Sequence, residues 1–241
     1  MPRFYCNLPL EIGMQLVLPD AVSHHLTVLR ASVGDTVTLF NGHGGEYSAV
    51  LTHIERRRCS VEIKAFDARE AEPRHALILA QALPEGSKMD WIVEKAVELG
   101  ATALQPLAAA RSVVRLSEER AAKKLSHWQA IAIAAAEQCG RNRVPQVAEP
   151  QPFGSWIVQR DLHPRILLSP RATQSLSDWA KHHPPQALTI MVGPEGGFSD
   201  SEEAAAIAQG AICLSMGERV LRTETAGLAV LSALNALWSE F

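Results

Sequence analysis

The sequence predicts an α/β protein in which a mostly parallel sheet with crossover helices follows a small β-rich domain, and three observations carry that expectation. From Ala76 onward, short apolar runs alternate with helix-forming stretches, as a parallel sheet requires. Residues 1 to about 70 instead alternate apolar with polar positions around a turn-rich cluster, Asn41-Gly42-His43-Gly44-Gly45. Between the two, Asp67 to His75 (DAREAEPRH) is charged, contains Pro73 and has no apolar period. The expected domains are therefore residues 1–70 and 75–241.

Taken in order, the first domain should hold a helix from Asp20 to Ala31 and strands over Asp35 to Phe40, Glu46 to Ile54 and Cys59 to Phe66. The second opens with a strand from Ala76 to Leu83, a helix from Ser87 to Leu99 and a strand from Thr102 to Leu107. A long helix, Ser117 to Cys139, follows, then strands Ile166 to Leu168 and Leu188 to Val192, and a helix from Asp200 to Gln209. A strand over Ala211 to Leu214 and a helix from Ala226 to Trp238 close the chain. Ser87 with Asp90, and Ser199 with Glu202, have the spacing of a capping box, and Gly100 stands where a helix-ending glycine belongs. The last helix is apolar around most of its circumference, more than one core face needs, so a second subunit is expected to cover part of it.

Composition sets bounds. No run approaches the ~20 apolar residues of a membrane span, and the N-terminus lacks a charged region followed by an apolar signal core, so a cytoplasmic location is expected. Cys6, Cys59, Cys139 and Cys213 are scattered, which predicts buried thiols and no metal site. The net charge of -3 is unfriendly to a nucleic-acid partner, but residues 74–143 hold ten Lys/Arg against seven Asp/Glu, whereas 144–241 hold six against ten. An enzyme acting on one nucleotide needs a positive stripe, not a positive molecule. Arg56-Arg57-Arg58 is a further local run, with a solvated turn as its ordinary reading.

Two segments carry chemistry. Val192-Gly193-Pro194-Glu195-Gly196-Gly197-Phe198-Ser199 follows an apolar run and precedes a helix. Its glycines allow close backbone approach or positive φ, and Pro194 stiffens the passage between them. The chain has neither G-x-x-x-x-G-K-[ST] nor G-x-G-x-x-G, and Glu195 would repel a pyrophosphate. A neutral or cationic nucleoside suits the loop better, and S-adenosylmethionine is the candidate. The second segment, Met216 to Ala226, links two apolar elements yet holds Glu218, Arg219, Arg222, Thr223, Glu224 and Thr225. Helix capping accounts for some of these, but not for Arg219 and Arg222.

GPEGGFS followed by MGERVLRTETA resembles the signature of the SPOUT methyltransferases, and specifically of the ribosomal RNA small subunit methyltransferase E family. Met1 to Tyr5, His24 to Arg30, Lys88 to Gly100 (KMDWIVEKAVELG) and Glu137 to Arg141 are similar to that family's other blocks in the same order. Met216 stands where the family usually has leucine, a change of little volume. The resemblance implies a C-terminal trefoil-knotted, mostly parallel sheet, where topology rules alone favour an unknotted one. It also implies an N-terminal PUA-like β-barrel that contacts RNA, a homodimer, and methylation of N3 of a uridine in small-subunit (16S) ribosomal RNA or the 30S particle. The implied donor site comprises Leu168, Val192, Gly193, Pro194, Glu195, Gly196, Gly197, Leu214, Met216, Gly217, Leu221, Thr225 and Ala226, without metal. Arg3, Arg30, Arg111 and Arg141 are the implied RNA contacts.

Uridine N3 carries a proton and is a poor nucleophile until that proton is lost, so the reaction needs a base, a cation, or both. The base must also be unpaired or drawn from its stack. Arg222 and Glu224 are the candidates, the first for negative charge on uracil, the second to position it or accept a proton; an ion pair bracing the loop is the competing reading. Other readings of the chain are a ribose 2′-O-methyltransferase acting on another RNA, a nucleotide-using metabolic enzyme and a non-catalytic RNA-binding module. His24, His25, Trp91 and Trp128 are expected to pack on helix flanks, and Glu137 to support its helix.

Overall fold

In the computed structural model, which describes all residues except 56–57, 115–116, 162 and 239–241, the backbone divides into two units. One comprises Met1–Glu72 with Ala136–Val144, the other Pro73–Ala135 with Pro145–Phe241.

The first unit is built from β1 (Arg3–Tyr5), β2 (Gln15–Val17), α1 (Asp20–Val28), β3 (Thr36–Phe40), β4 (Glu46–Glu55) and β5 (Arg58–Asp67). The strands form one sheet in the order β1-β3-β4-β5-β2, with β1 parallel to β3 and the other pairs antiparallel. Alternation places Val37 and Leu39, Ala49 and Leu51, and Cys59, Val61 and Ile63 in one core beneath Val22 and Leu26 of α1. That helix stops short of the expected Ala31. Arg30 turns to φ 56°, and the Ala31 N–H reaches back to the Leu26 carbonyl, a stop usually built on glycine. β1 and β2 are three residues each, too short for a period to reveal.

Residues 136–144 join this unit, although sequence pattern assigned them to the second domain. Specific polar contacts account for it. Arg141 is forked onto Glu72 through Nε (3.0 Å) and Nη2 (2.5 Å), Asn142 bonds to the Arg3 guanidinium and the Arg69 carbonyl, and the Glu137 carboxylate accepts the Tyr5 N–H. Burial raises the Glu137 carboxyl above its ordinary value, only partly offset by that N–H and by the charges of His25 and Arg3.

The second unit contains β6 (Leu77–Ala82), α2 (Lys88–Glu98), β7 (Ala103–Ala108), most of α3 (Glu118–Cys139), β8 (Gln146–Val147) and β9 (Gln151–Pro152). It continues with α4 (Phe153–Ile157), β10 (Arg165–Leu168), α5 (Leu176–His182), β11 (Leu188–Val192), α6 (Asp200–Ala208), β12 (Ile212–Leu214) and α7 (Thr223–Leu237). All described pairings in its sheet are parallel, in the order β12-β10-β11-β6-β7-β8, with β9 also on β7. β11 is buried at every position, which explains its run LTIMV, apolar but for Thr189, whose hydroxyl donates to Asp161 at 2.8 Å.

Three expectations need amending. Ser87 does not cap α2: its φ and ψ are -99° and 9°, and Asp90 instead takes bonds from Trp128 Nε1 and the His127 ring. Ser199 and Glu202 do form a reciprocal capping box, and Gly100 ends α2 at φ 83°. α7 finds its apolar neighbours within the chain, packing on α2, α5, β6 and β11, so its circumference is not an argument for a second subunit. His24 and His25, expected to pack on the helix flank, are both exposed, and the His25 ring makes a T-shaped contact with Phe4, centroids 5.3 Å apart.

Candidate active site

Register fixes where the loops emerge. Leu168 pairs with Leu214, Leu167 with Met191, and Val192 with Gln81, so β12, β10, β11 and β6 end together at one edge of the sheet. The segments after β10, β11 and β12 leave side by side, at the carboxyl ends where α/β sheets bind ligands. They enclose a cavity of about 530 Å³, within the range of small-molecule sites. Leu168, Val192, Gly193, Pro194, Glu195, Gly196, Gly197, Met216, Gly217, Leu221, Arg222, Glu224 and Ala226 line it. Leu214 and Thr225 do not: the first is fully buried beneath the sheet edge and the second points outward on α7. Lys88, Ser169, Pro170, Arg219, Val220 and Thr223 complete the wall.

The loop after β11 is held from several sides. A Cβ at Gly193 would lie 2.9 Å from the Phe198 nitrogen and 3.0 Å from the Gly197 carbonyl carbon, so the chain crosses itself where only glycine fits. Gly197 has φ 67°, and the Gly197 N–H closes a turn on the Pro194 carbonyl at 2.8 Å. Phe198 anchors the far end in the core, 4.8 Å from the Phe153 ring. Arg111 Nη1 donates to the carbonyls of Gly196 (2.8 Å) and Phe198 (3.2 Å), so this arginine braces the loop.

Charge in the cavity is paired, though not evenly. Lys88 Nζ lies 2.5 Å from Glu195 Oε1, which also accepts the Glu85 N–H at 3.1 Å. Burial pushes the Glu195 carboxyl up, but the bonds from Lys88 and the backbone outweigh it and hold the carboxyl below its ordinary range. The same pair lifts the Lys88 ammonium. With Lys88 balancing it, Glu195 no longer argues by its own charge against a phosphate. Glu224 differs. Its side chain is 17% exposed, Lys88 is 4.0 Å from Oε2 and Arg222 is 3.9 Å from Oε1, and Oε2 has no hydrogen-bond partner among the described residues. Arg222 itself is 84% exposed, a loose partner at most.

The expected RNA contacts separate. Arg30 is exposed. Arg3 is spent on Glu46 and Asn142 and lies over the Phe40 ring at 5.1 Å, while Arg141 is 2% exposed and committed to Glu72. In this conformation those two guanidinium groups hold the first unit together and are not free for phosphate. Arg56 and Arg57 lie outside the described residues. Among the described residues, no cluster of His, Cys, Asp or Glu could hold a metal, and no helix is long and apolar enough to cross a membrane.

This geometry agrees with what the chain is similar to. An RNA methyltransferase domain model matches residues 70–235, and an RNA methyltransferase PUA domain model matches residues 18–64, which sets the class. Ribosomal RNA small subunit methyltransferase E of Synechocystis is 35% identical over 232 residues, 94% of this chain and 74% of that protein. Its Bacillus subtilis namesake is 31% identical over 223 residues, 90% of this chain and 87% of that protein. A crystal structure of the Neisseria gonorrhoeae enzyme of that name, bound to S-adenosyl methionine, matches with a TM-score of 0.92 at 39% identity, covering 99% of this chain and 98% of that one. The chain belongs to the ribosomal RNA small subunit methyltransferase E family.

Proposed function

We propose that the protein transfers a methyl group from S-adenosylmethionine to N3 of one uridine in small-subunit ribosomal RNA. The observation that carries the donor assignment is the single cavity formed where three neighbouring strands end, walled by both glycine-containing loops. Leu168, Val192, Met216 and Leu221 offer apolar surface to an adenine, the glycine backbone offers close polar contacts, and the partnerless Glu224 oxygen offers an acceptor to a cation or an N–H. The donor supplies a methyl group on a sulfonium. The residues supply the rest: Glu224 faces the N–H of the incoming uracil or its lost proton, Lys88 and Arg222 lend positive charge, and the loops exclude water. The RNA assignment rests on family membership and on the PUA match.

Further parts of the same reading are a trefoil knot and a homodimer. Supporting the knot, the last strand, β12, lies at the sheet edge beside β10 while the following α7 returns onto β6 and β11. For the dimer, the support is the resemblance, together with Trp91, 46% exposed on α2. Sedimentation should show a dimer at all accessible concentrations; a monomer that persists as concentration rises overturns this part. The division of labour gives another expectation. Arg30→Ala should weaken rRNA binding and reduce the salt slope by about one while donor affinity stays as in wild type, since a phosphate contact acts by counterion release. Filter binding across a salt series checks it.

Mass spectrometry of nucleosides from ribosomal RNA of cells with and without the gene tests the whole reading. Loss of 3-methyluridine is expected. Loss of a 2′-O-methyl nucleoside instead, or no change, would require another reaction.

A further inference from the structure

We propose that Thr223 and Gln81 form a buried, directional clamp that sets the spacing of the two donor loops, so that Thr223 is a positioning residue for methyl transfer. Thr223 is 5% exposed at the start of α7, directly after the loop from β12. Its Oγ1 donates to the Gly193 carbonyl at 2.5 Å and accepts from Gln81 Nε2 at 2.9 Å. One hydroxyl thus joins the end of β6, the loop after β11 and the loop after β12.

The direction of these bonds follows from chemistry. Gln81 Nε2 also donates to the Ala82 carbonyl at 2.9 Å, and a carbonyl can only accept, so the amide nitrogen must face that way. Both amide hydrogens are then used, one on Ala82 and one on Thr223. The Thr223 hydroxyl receives one and has its single proton left for Gly193. Gln81 is fully buried, and its Oε1 has no hydrogen-bond partner among the described residues. Gly227 of α7 lies over it: a Cβ there would sit 3.5 Å from that oxygen and 3.1 Å from Leu79 Cδ1. The fold tolerates a stranded acceptor in its core to keep this arrangement, a departure from polar satisfaction typical of functional sites and not of plain packing. Gly193 is also the crossing point of its loop, so its carbonyl is the place where a bond from α7 controls the loop's position.

The clamp rests on the donor assignment made above, and two measurements separate the failure of one from the failure of the other. Thr223→Val keeps the shape and removes the hydroxyl; Thr223→Ser restores it. Gln81→Glu offers only acceptors when ionised, so it repels the Ala82 carbonyl and draws the Thr223 proton away from Gly193. Calorimetry with S-adenosylmethionine should show Thr223→Val and Gln81→Glu weaker by about tenfold or more, as for a buried bond whose partner is stranded, with Thr223→Ser close to wild type. Hydrogen exchange without donor should show residues 193–198 and 217–222 opening faster together in Thr223→Val and returning in Thr223→Ser. A wild-type chain that does not bind the donor overturns the donor assignment, while the exchange experiment still decides the clamp. If Thr223→Val exchanges at only one loop, or keeps wild-type donor affinity, the clamp is wrong. Should Thr223→Val fail to fold, Gln81→Glu carries the same test by the same two readouts.

Discussion

Gly193→Ala should abolish donor binding and lower the stability of the empty chain, whereas Gly197→Ala, four residues on in the same loop, should leave the packing of the empty chain nearly undisturbed. The contrast is geometric. At Gly197 no described protein atom lies within 4 Å of an added Cβ, so the empty chain bears only the strain of φ 67°, about 1–2 kcal/mol for a non-glycine residue. At Gly193 the added carbon would meet the Phe198 nitrogen and the Gly197 backbone at 2.9–3.0 Å. Those atoms are poorly free to yield. The Phe198 ring is locked in the core against Phe153, Arg111 holds the Gly196 and Phe198 carbonyls, and the Gly193 carbonyl is tied to Thr223. Overpacking of this kind costs about 1–3 kcal/mol, and here the relief must come from opening the binding loop. Gly196→Ala meets only the side-chain stem of Arg111, at 3.3–3.9 Å, and should disturb the packing less. Denaturant unfolding with calorimetry on all three variants decides the order. Donor affinity retained in Gly193→Ala would show that the loop can relax where its contacts say it cannot.

The loops were legible because their composition is abnormal for turns, and the strands beneath them because fully buried parallel strands are written as continuous apolar runs. β8, β9 and α4 were not legible: two strands of two residues and a five-residue helix carry too little sequence for a period. α5 was missed as well, although Ser175 accepts the Asp178 N–H at its start, a cap within a stretch otherwise rich in polar residues. In the site, Lys88 and Gln81 lie about a hundred residues before the loops they serve, and no local spacing connects them. Gln81 did leave a trace, a glutamine inside the apolar run LILAQA, where an uncharged polar residue in a buried strand needs a partner. Arg3 and Arg141 show the converse, side chains whose carboxylate partners the sequence does not announce. Arginine in a recurring block reads as a phosphate contact, and only coordinates show the carboxylates that occupy it.

Glu224→Gln should slow the chemical step more than any other single change in the cavity, by about 10²–10⁴ if the carboxylate accepts the uracil N3 proton. The side chain is largely buried, Oε2 has no hydrogen-bond partner among the described residues, and both ion pairs are long, Lys88 at 4.0 Å from Oε2 and Arg222 at 3.9 Å from Oε1, which leaves the carboxylate an oxygen to offer a ligand. Glutamine has nearly the same shape and can still make a hydrogen bond to uracil, but cannot take a proton. Arg222→Ala should act more weakly, because a guanidinium that is 84% exposed is screened until RNA covers it; RNA and donor should still bind while the rate at saturation falls. Single-turnover methylation of small-subunit particles, saturated in both substrates, isolates the step. Binding of each substrate, measured on the same variants, separates loss of chemistry from loss of affinity. A Glu224→Gln chain that methylates at the wild-type rate under those conditions removes the carboxylate from proton transfer and leaves the cations, Lys88 first because it is the less exposed, to stabilise the uracil anion formed by solvent.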